Sequence, residues 1–160
     1  MPISQHLKYL HREHVLSLKL LSRFLSECRD PWWVFGSAAI ALCGFNPFGV
    51  RDIDVLVSMR DTERLMKAHS LVNIADGGNS KMRSDVFLRA KLGSVPVEIM
   101  SNFMIQSQNG WKLLAPATRV EIDVEGASLF VPDVNEQIDI LYALGRPKDL
   151  ARARSLRLSL

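Results

Sequence analysis

The chain has 160 residues, of which 48% are hydrophobic and 23% are charged, which is typical of one globular domain with its own core. The formal net charge of +3 allows a phosphate-bearing ligand but is too small to indicate a nucleic-acid partner by itself. Polar residues interrupt the N-terminal segment, no run of 18 apolar residues follows, and the two cysteines lack the spacing of a metal site. We therefore expect no signal peptide, no membrane span and a soluble protein of the cytoplasm.

The first elements are predicted from apolar periodicity. Leucines spaced three, four and seven or eight residues apart predict an amphipathic helix over residues 3–29. The aromatic run at residues 32–35 then favours a short strand. Gly36 and Ser37 follow directly and predict a tight turn into a short helix that ends at Gly44.

The next part of the chain contains a strand, a helix and a loop. Residues 52–57 predict a second strand, which follows a loop rich in Gly, Asn and Pro. Asp61 is predicted to cap the helix after this strand, and that helix is expected to end near Ser70. Residues 75–84 have no apolar period and are predicted to form a mobile basic loop.

A hairpin is predicted over residues 85–100. Two apolar runs flank Gly93 and Ser94 in this segment, and a turn at these two residues would place Arg89 opposite Glu98. The pairing leaves Glu98 with two interpretations. It is either a group of a functional site or the partner of Arg89 in an exposed ion pair that contributes only ~0.2–1 kcal/mol.

The C-terminal part is predicted to contain a further hairpin at residues 118–132 and two closing helices at 133–158. The whole chain, 1–160, is therefore predicted to be one α+β domain, in which a small mixed β-sheet at 31–131 has helices packed against it. Three arginines at helical spacing near the C-terminus are interpreted as the solvent-facing side of the last helix: Arg152, Arg154 and Arg157.

Two carboxylates in the second predicted strand indicate a metal site. Asp52 and Asp54 are two residues apart, so they lie on one face of a strand while Ile53 and Val55 point into the protein. Like charges held side by side repel each other, which raises a pKa or costs stability unless a cation lies between them. A hard divalent ion with oxygen ligands, such as Mg²⁺, satisfies this arrangement.

Gly36, Ser37 and Glu98 add the other parts that phosphoryl or nucleotidyl transfer requires. Carboxylates hold metal ions that act on the attacking and leaving oxygens, and a backbone cradle binds phosphate. Gly36 allows a close approach of the backbone, and N–H groups at a helix start favour anions. The later acid, Glu98, can hold metal or accept the proton of the attacking hydroxyl. Arg51 either meets a phosphate or only flanks the carboxylates.

The sequence resembles the minimal nucleotidyltransferases of the DNA polymerase β superfamily. Their pattern is an apolar strand, Gly-Ser or Gly-Gly, a short helix, an acid-x-acid strand and a later acid. The corresponding stretches here are VFGSAAIAL, RDIDVLV and VPVEIM. The likeness is closest to the small antibiotic and toxin-type enzymes, in which an arginine often precedes the first aspartate. It extends to YALGRPKDLARARSL, which is similar to their closing helix.

This resemblance implies a nucleotidyltransferase-like fold and a Mg²⁺-dependent transfer of a nucleoside monophosphate from a nucleoside triphosphate to a hydroxyl. It implies that Asp52, Asp54 and Glu98 are both the catalytic residues and the metal ligands. Gly36 and Ser37, with Arg51, would bind the nucleotide. A small antibiotic of the aminoglycoside or lincosamide kind is the expected acceptor.

Two other functions stay open at the level of sequence. The chain would be a toxin-type nucleotidyltransferase if its acceptor were a tRNA or a protein. It would be a non-catalytic binding or antitoxin-like module if the fold had lost its chemistry, although intact acids at all three positions argue against this. Since 160 residues leave little room for a second domain over the acceptor, a homodimer is also expected.

Overall fold

Five α-helices and nine β-strands lie within residues 4–160, the part of the chain that this computed structural model describes. The helices are α1 (Arg12–Phe24), α2 (Gly36–Leu42), α3 (Met59–His69), α4 (Val134–Leu144) and α5 (Pro147–Ser159). The strands are β1 (Trp33–Phe35), β2 (Ile53–Leu56), β3 (Met82–Arg83), β4 (Val86–Ala90), β5 (Val97–Ser101), β6 (Met104–Ser107), β7 (Gly110–Leu113), β8 (Val120–Val124) and β9 (Ala127–Val131). This arrangement confirms the α+β class. None of the helices in the described part is long and apolar enough to cross a membrane.

The N-terminal segment is not the single helix that was predicted over residues 3–29, of which residue 3 lies outside the described part. A 3₁₀ turn at Gln5–Leu7 precedes α1, and α1 ends before Leu25. The 3₁₀ turn and α1 are separated by a cap at the start of α1, where the His11 backbone N–H donates to the ring nitrogen Nδ1 of His14. Sequence periodicity does not reveal this cap. The leucines at helical spacing are buried all the same, so their pattern correctly indicated the core-facing side.

The central sheet has the strand order β1-β2-β5-β4. Strands β2 and β5 are parallel, while β1 and β4 pair with them in the antiparallel sense. The register places four residues side by side across the sheet, namely Phe35, Asp54, Glu98 and Arg89. The predicted pairing of Arg89 with Glu98 is confirmed, and three polar side chains stand in one row on one face of the sheet.

The start of α3 differs from the prediction. Ser58, not Asp61, is the N-cap, and its side chain accepts the backbone N–H of Asp61. Asp61 is buried and accepts the backbone N–H groups of Arg29 and Asp30 at 3.0 and 2.8 Å. The carboxylate therefore holds the segment that leads into β1, a role that local sequence does not indicate.

A small second sheet lies beside β4. Strands β3, β6 and β7 form it in the order β3-β6-β7. Strand β3 lies inside the segment 75–84, which the sequence predicted to be only a loop, and the hairpin β6–β7 lies in residues 101–117, for which no element was predicted. The chain enters this hairpin through a left-handed turn at Asn102, whose φ is 49°.

The two closing helices are as predicted. Gly145 ends α4 in the left-handed conformation, with φ at 68°, and Pro147 is the first residue of α5. Two residues of α4, Ile140 and Leu144, belong to one buried apolar cluster with Phe35 of the central sheet. This packing fixes the start of α5 above the row of polar residues on the sheet.

Candidate active site

Three carboxylates converge on one face of the central sheet. Asp52 and Asp54 come from β2 and its preceding residue, and Glu98 comes from β5. One oxygen of each lies within 4.8 Å of the corresponding oxygens of the other two. Ile53 and Val55, on the opposite face, have no exposed surface. The alternation of side chains along β2, predicted from the sequence, therefore places Asp52 and Asp54 on the same face of the sheet as Glu98.

Burial and repulsion within this cluster shift the pKa values of Asp54 and Glu98. Burial, followed by the negative charges of Asp52 and Glu98, raises the pKa of Asp54 to about 8. Burial and the charge of Asp52 also raise the pKa of Glu98, although Arg89 opposes this shift. Without a cation, Asp54 is therefore mostly protonated at neutral pH.

The residues fit a divalent cation. Oxygen ligands from three carboxylates are the donors that Mg²⁺ and Mn²⁺ prefer. A cation would replace the proton on Asp54, because both remove the same repulsion. Asp52, Asp54 and Glu98 are the candidate ligands, and they are the three that the sequence singled out.

Gly36 lies against the carboxylates where β1 passes into α2. The helix begins directly at Gly36, which has a φ of 70°, so no separate turn precedes it. A Cβ atom on this residue would lie 3.3 Å from Oδ2 of Asp54. Both the conformation and the close approach favour glycine. Ser37 follows as a buried residue of the first helical turn.

A cavity of about 790 Å³ opens above the carboxylates, a volume in the range of small-molecule sites. It reaches Gly36, Ser37 and Arg51, so all six residues predicted for the site lie on its wall. Its apolar residues include Phe35, Phe87, Met100, Phe103, Leu141 and Leu144.

Besides Arg51, basic residues line the cavity at two places. We call the first place the α5 side; its residues are Arg146, Lys148 and Arg152. The second, which we call the β4 side, contains Arg89 of β4 and Arg83, the last residue of β3.

The basic residues of the α5 side were not assigned to the site from the sequence. Arg146 makes two hydrogen bonds to the buried carboxylate of Asp149, at 2.5 and 3.0 Å, and its charge opposes the rise in the pKa of Asp54. Arg152, interpreted as solvent-facing, is instead half-buried and donates to the carbonyl oxygen of Pro47 at 2.8 Å. The Gly-Arg-Pro-Lys-Asp segment was the signal available for these residues.

The chain was compared with known proteins in three ways. No protein-family model matches its sequence, and the search of curated proteins gave no match. Solved structures do match. A protein of Thermotoga maritima assigned as a nucleotidyltransferase superposes with a TM-score of 0.72 at 22% identity, and the match covers 94% of this chain and 95% of that one.

Two further structures agree with the first. ANT(2'')-Ia, solved with adenylyl-2''-tobramycin, has a TM-score of 0.55 at 16% identity, over 93% of this chain and 89% of its own. An antigenic nucleotidyltransferase-like protein from Paracoccidioides brasiliensis has a TM-score of 0.56 at 18% identity, over 92% and 76%. With these matches over nearly its whole length, the chain has the nucleotidyltransferase fold.

Proposed function

We propose that the protein is a metal-dependent nucleotidyltransferase that moves a nucleoside monophosphate from a nucleoside triphosphate to a hydroxyl of a small acceptor. The convergence of three carboxylate oxygens within 4.8 Å on the wall of a cavity supports this proposal most directly. The fold, shared with nucleotidyltransferases, agrees with it. All of residues 1–160 are proposed to act as one domain.

In the proposed reaction the acceptor oxygen forms a bond to the α-phosphorus. The bond between that phosphorus and the bridging oxygen of the β-phosphate breaks, so pyrophosphate leaves with the electron pair. The hydroxyl proton passes to a carboxylate or to solvent. Glu98 suits the role of proton acceptor, because its raised pKa makes it a stronger base than an ordinary glutamate.

Asp52 and Asp54 would hold Mg²⁺, and Glu98 would complete the ligand set or act as the base. A bound Mg²⁺ supplies electrostatic stabilisation of the charge that develops on the phosphoryl oxygens. The protein contributes a rigid ligand frame, since two of the ligands lie side by side in paired strands, Asp54 opposite Glu98.

Gly36 and Ser37 would contact the triphosphate through the backbone at the start of α2. The α5 side of the cavity places Arg146, Lys148 and Arg152 within the same space, where cations would offset the charge of the phosphates. Arg51 is exposed on the cavity wall and would add a further phosphate contact.

The acceptor would be a small molecule with a free hydroxyl, and aminoglycoside and lincosamide antibiotics are the first classes to test. One matched structure contains an adenylylated aminoglycoside, adenylyl-2''-tobramycin. The test is a screen of each α-labelled nucleoside triphosphate against pooled antibiotics and total tRNA, with Mg²⁺, and with Asp54→Asn as control. We expect wild-type protein to label one pool. Equal labelling by Asp54→Asn, or by wild type in chelator, would contradict the proposal.

A further inference from the structure

The acids that line the cavity leave little negative charge for a cationic acceptor. Of the described residues on its wall, five are acidic, and three of these form the carboxylate cluster. Asp149 is already paired with Arg146 through two hydrogen bonds. Asp76, an exposed loop residue, is the one acid that remains on the described wall.

The β4 side of the cavity is positively charged instead. The sheet order β1-β2-β5-β4 places β4 on the far side of the carboxylates from Gly36, and thus away from the backbone proposed to bind the triphosphate. Arg89 belongs to β4, and Arg83, at the end of β3 and three residues before β4, lines the same cavity. An acceptor that approaches from this side would meet the two arginines before it reached Glu98.

Arg83 is held in place without a neutralising partner. Its guanidinium carbon lies 4.3 Å from the centre of the Trp111 ring, and Nη2 contacts the sulfur of Met104 at 3.8 Å. No carboxylate within residues 4–160 forms an ion pair with it. Stacking restricts the orientation of the guanidinium plane while its N–H groups stay available, which suits recognition of an anion.

Arg89 adds a second charge next to the carboxylate cluster. Its Nε lies 3.7 Å from Oε1 of Glu98, yet 67% of the Arg89 side chain is exposed. The ion pair therefore occupies only part of the guanidinium. Arg89 also lies on the cavity wall, where its remaining donors can bind a second anionic group at the same time.

We infer that the acceptor is an alcohol that carries an anionic group, a carboxylate or phosphate, which Arg83 and Arg89 bind, and that it is not a polycation such as an aminoglycoside. The inference rests on the proposed function and narrows its acceptor, because it excludes the aminoglycosides from the two antibiotic classes named there for the first screen. A polycation would bring like charge against both arginines, which is unfavourable. A phosphate of a small molecule and one of an RNA share the required chemistry, so the test separates these two sources.

Calorimetry with inorganic phosphate tests the inference on the full chain loaded with Mg²⁺ and a non-hydrolysable nucleoside triphosphate. Arg83→Gln and Arg89→Gln should each weaken phosphate binding at least about tenfold, the effect of losing a charge-assisted hydrogen bond. Arg154→Gln, at an exposed position of α5 away from the cavity, is the matched control and should leave it unchanged. Neither variant of the β4 side should weaken nucleotide binding.

Several results would overturn the inference. These are an absence of phosphate binding by the loaded wild type, equal phosphate affinity in the variants, and nucleotide affinity that falls with either substitution. Tighter binding of kanamycin than of phosphate would also contradict it. Displacement of phosphate by total tRNA would identify an RNA as the source of the anion. If tRNA does not displace phosphate, the source is a small molecule. A wild type without Mg²⁺-dependent nucleotide binding would instead refute the proposed function, while phosphate binding by the variants can still be compared on the unloaded protein.

Discussion

Asp54 lies directly opposite Glu98 in the parallel pair β2–β5, and the charge of Glu98 helps to raise the pKa of Asp54. Asp52 adds a third negative charge to the same face. The sheet register, which is fixed by the buried side chains on its other face, thus holds mutually repelling groups in contact. The folded protein contains a site that favours a cation or a proton, and both alternatives can be measured.

Asp54→Asn should stabilise the protein in chelator at pH 8. The pKa of Asp54 is raised to about 8 in the folded state, so between about pH 4 and pH 8 the folded state binds a proton that the unfolded state has lost. Folding stability attributable to this group therefore falls as pH rises through that window. We expect a rise in Tm of at least about 2 °C at pH 8, the effect of ~1 kcal/mol in a domain of this size, and no difference below about pH 4.

Thermal denaturation of Asp139→Asn provides the control, because Asp139 is exposed on α4, away from the cluster. Its melting temperature should follow that of the wild type at every pH. A loss of stability in Asp54→Asn at pH 8 would show that the carboxylate has a structural partner.

Mg²⁺ affinity should increase with pH and reach a plateau above about pH 8. The cation has to displace the proton from Asp54, whose pKa is about 8, so binding below this pH releases up to one proton. Calorimetric titration in two buffers of different ionisation enthalpy measures this release. Proton release at pH 7 that is the same in Asp54→Asn and wild type would rule out Asp54 as its source.

Glu98→Gln and Arg89→Gln should affect turnover differently. Loss of the carboxylate should lower kcat at least ~100-fold, the low end for a positioned acid-base group. Loss of Arg89 should act mainly on the KM of the acceptor, and it should cost under about 1 kcal/mol in stability because the Arg89 side chain is largely exposed. Steady-state kinetics and denaturant unfolding distinguish the two. Equal, modest losses in both variants would assign Glu98 to the ion pair alone.

Gly36→Ala should abolish nucleotide binding, and it should reduce stability by more than the same substitution at an ordinary loop glycine does. The alanine would have to adopt a φ of 70°, and its Cβ would lie 3.3 Å from Oδ2 of Asp54, whereas a methyl group on Gly126, at φ 91°, would have nothing within 4 Å. Gly126→Ala therefore measures the conformational cost alone, about 1–2 kcal/mol. A Gly36→Ala protein that bound Mg²⁺ and nucleotide as well as Gly126→Ala would contradict the proposed backbone contact.

Only part of the carboxylate cluster has local determinants. The spacing of Asp52 and Asp54 gives their common face, and the apolar runs around Gly93 give the register that places Glu98 opposite Arg89, even though the strands do not reach this turn. Each of these local steps depends on strand alternation, which burial of one face enforces. The pairing of Asp54 with Glu98 is non-local, and Glu98 was joined to the aspartates through the resemblance to nucleotidyltransferases.

The arginines of the cavity depend on tertiary packing instead. Arg152 has the helical spacing of a solvent-facing residue, and only the docking of α5 against the loop at Pro47 makes it half-buried. Asp61 was misassigned for a similar reason. Ser58 and Asp61 are both good capping residues, and contacts from the distant segment at Arg29, outside the helix itself, decide between them.

The parallel pairing of β2 with β5 also determines when the site can exist during folding. Antiparallel partners can meet through a short turn, but these two strands are joined by α3, β3 and β4 and the loops between them. Two of the three carboxylates are therefore present early in the chain and have no third partner until the sheet closes. Cation binding by all three acids accordingly reports completion of the sheet, and a stopped-flow assay of metal uptake would follow a late, non-local step of folding.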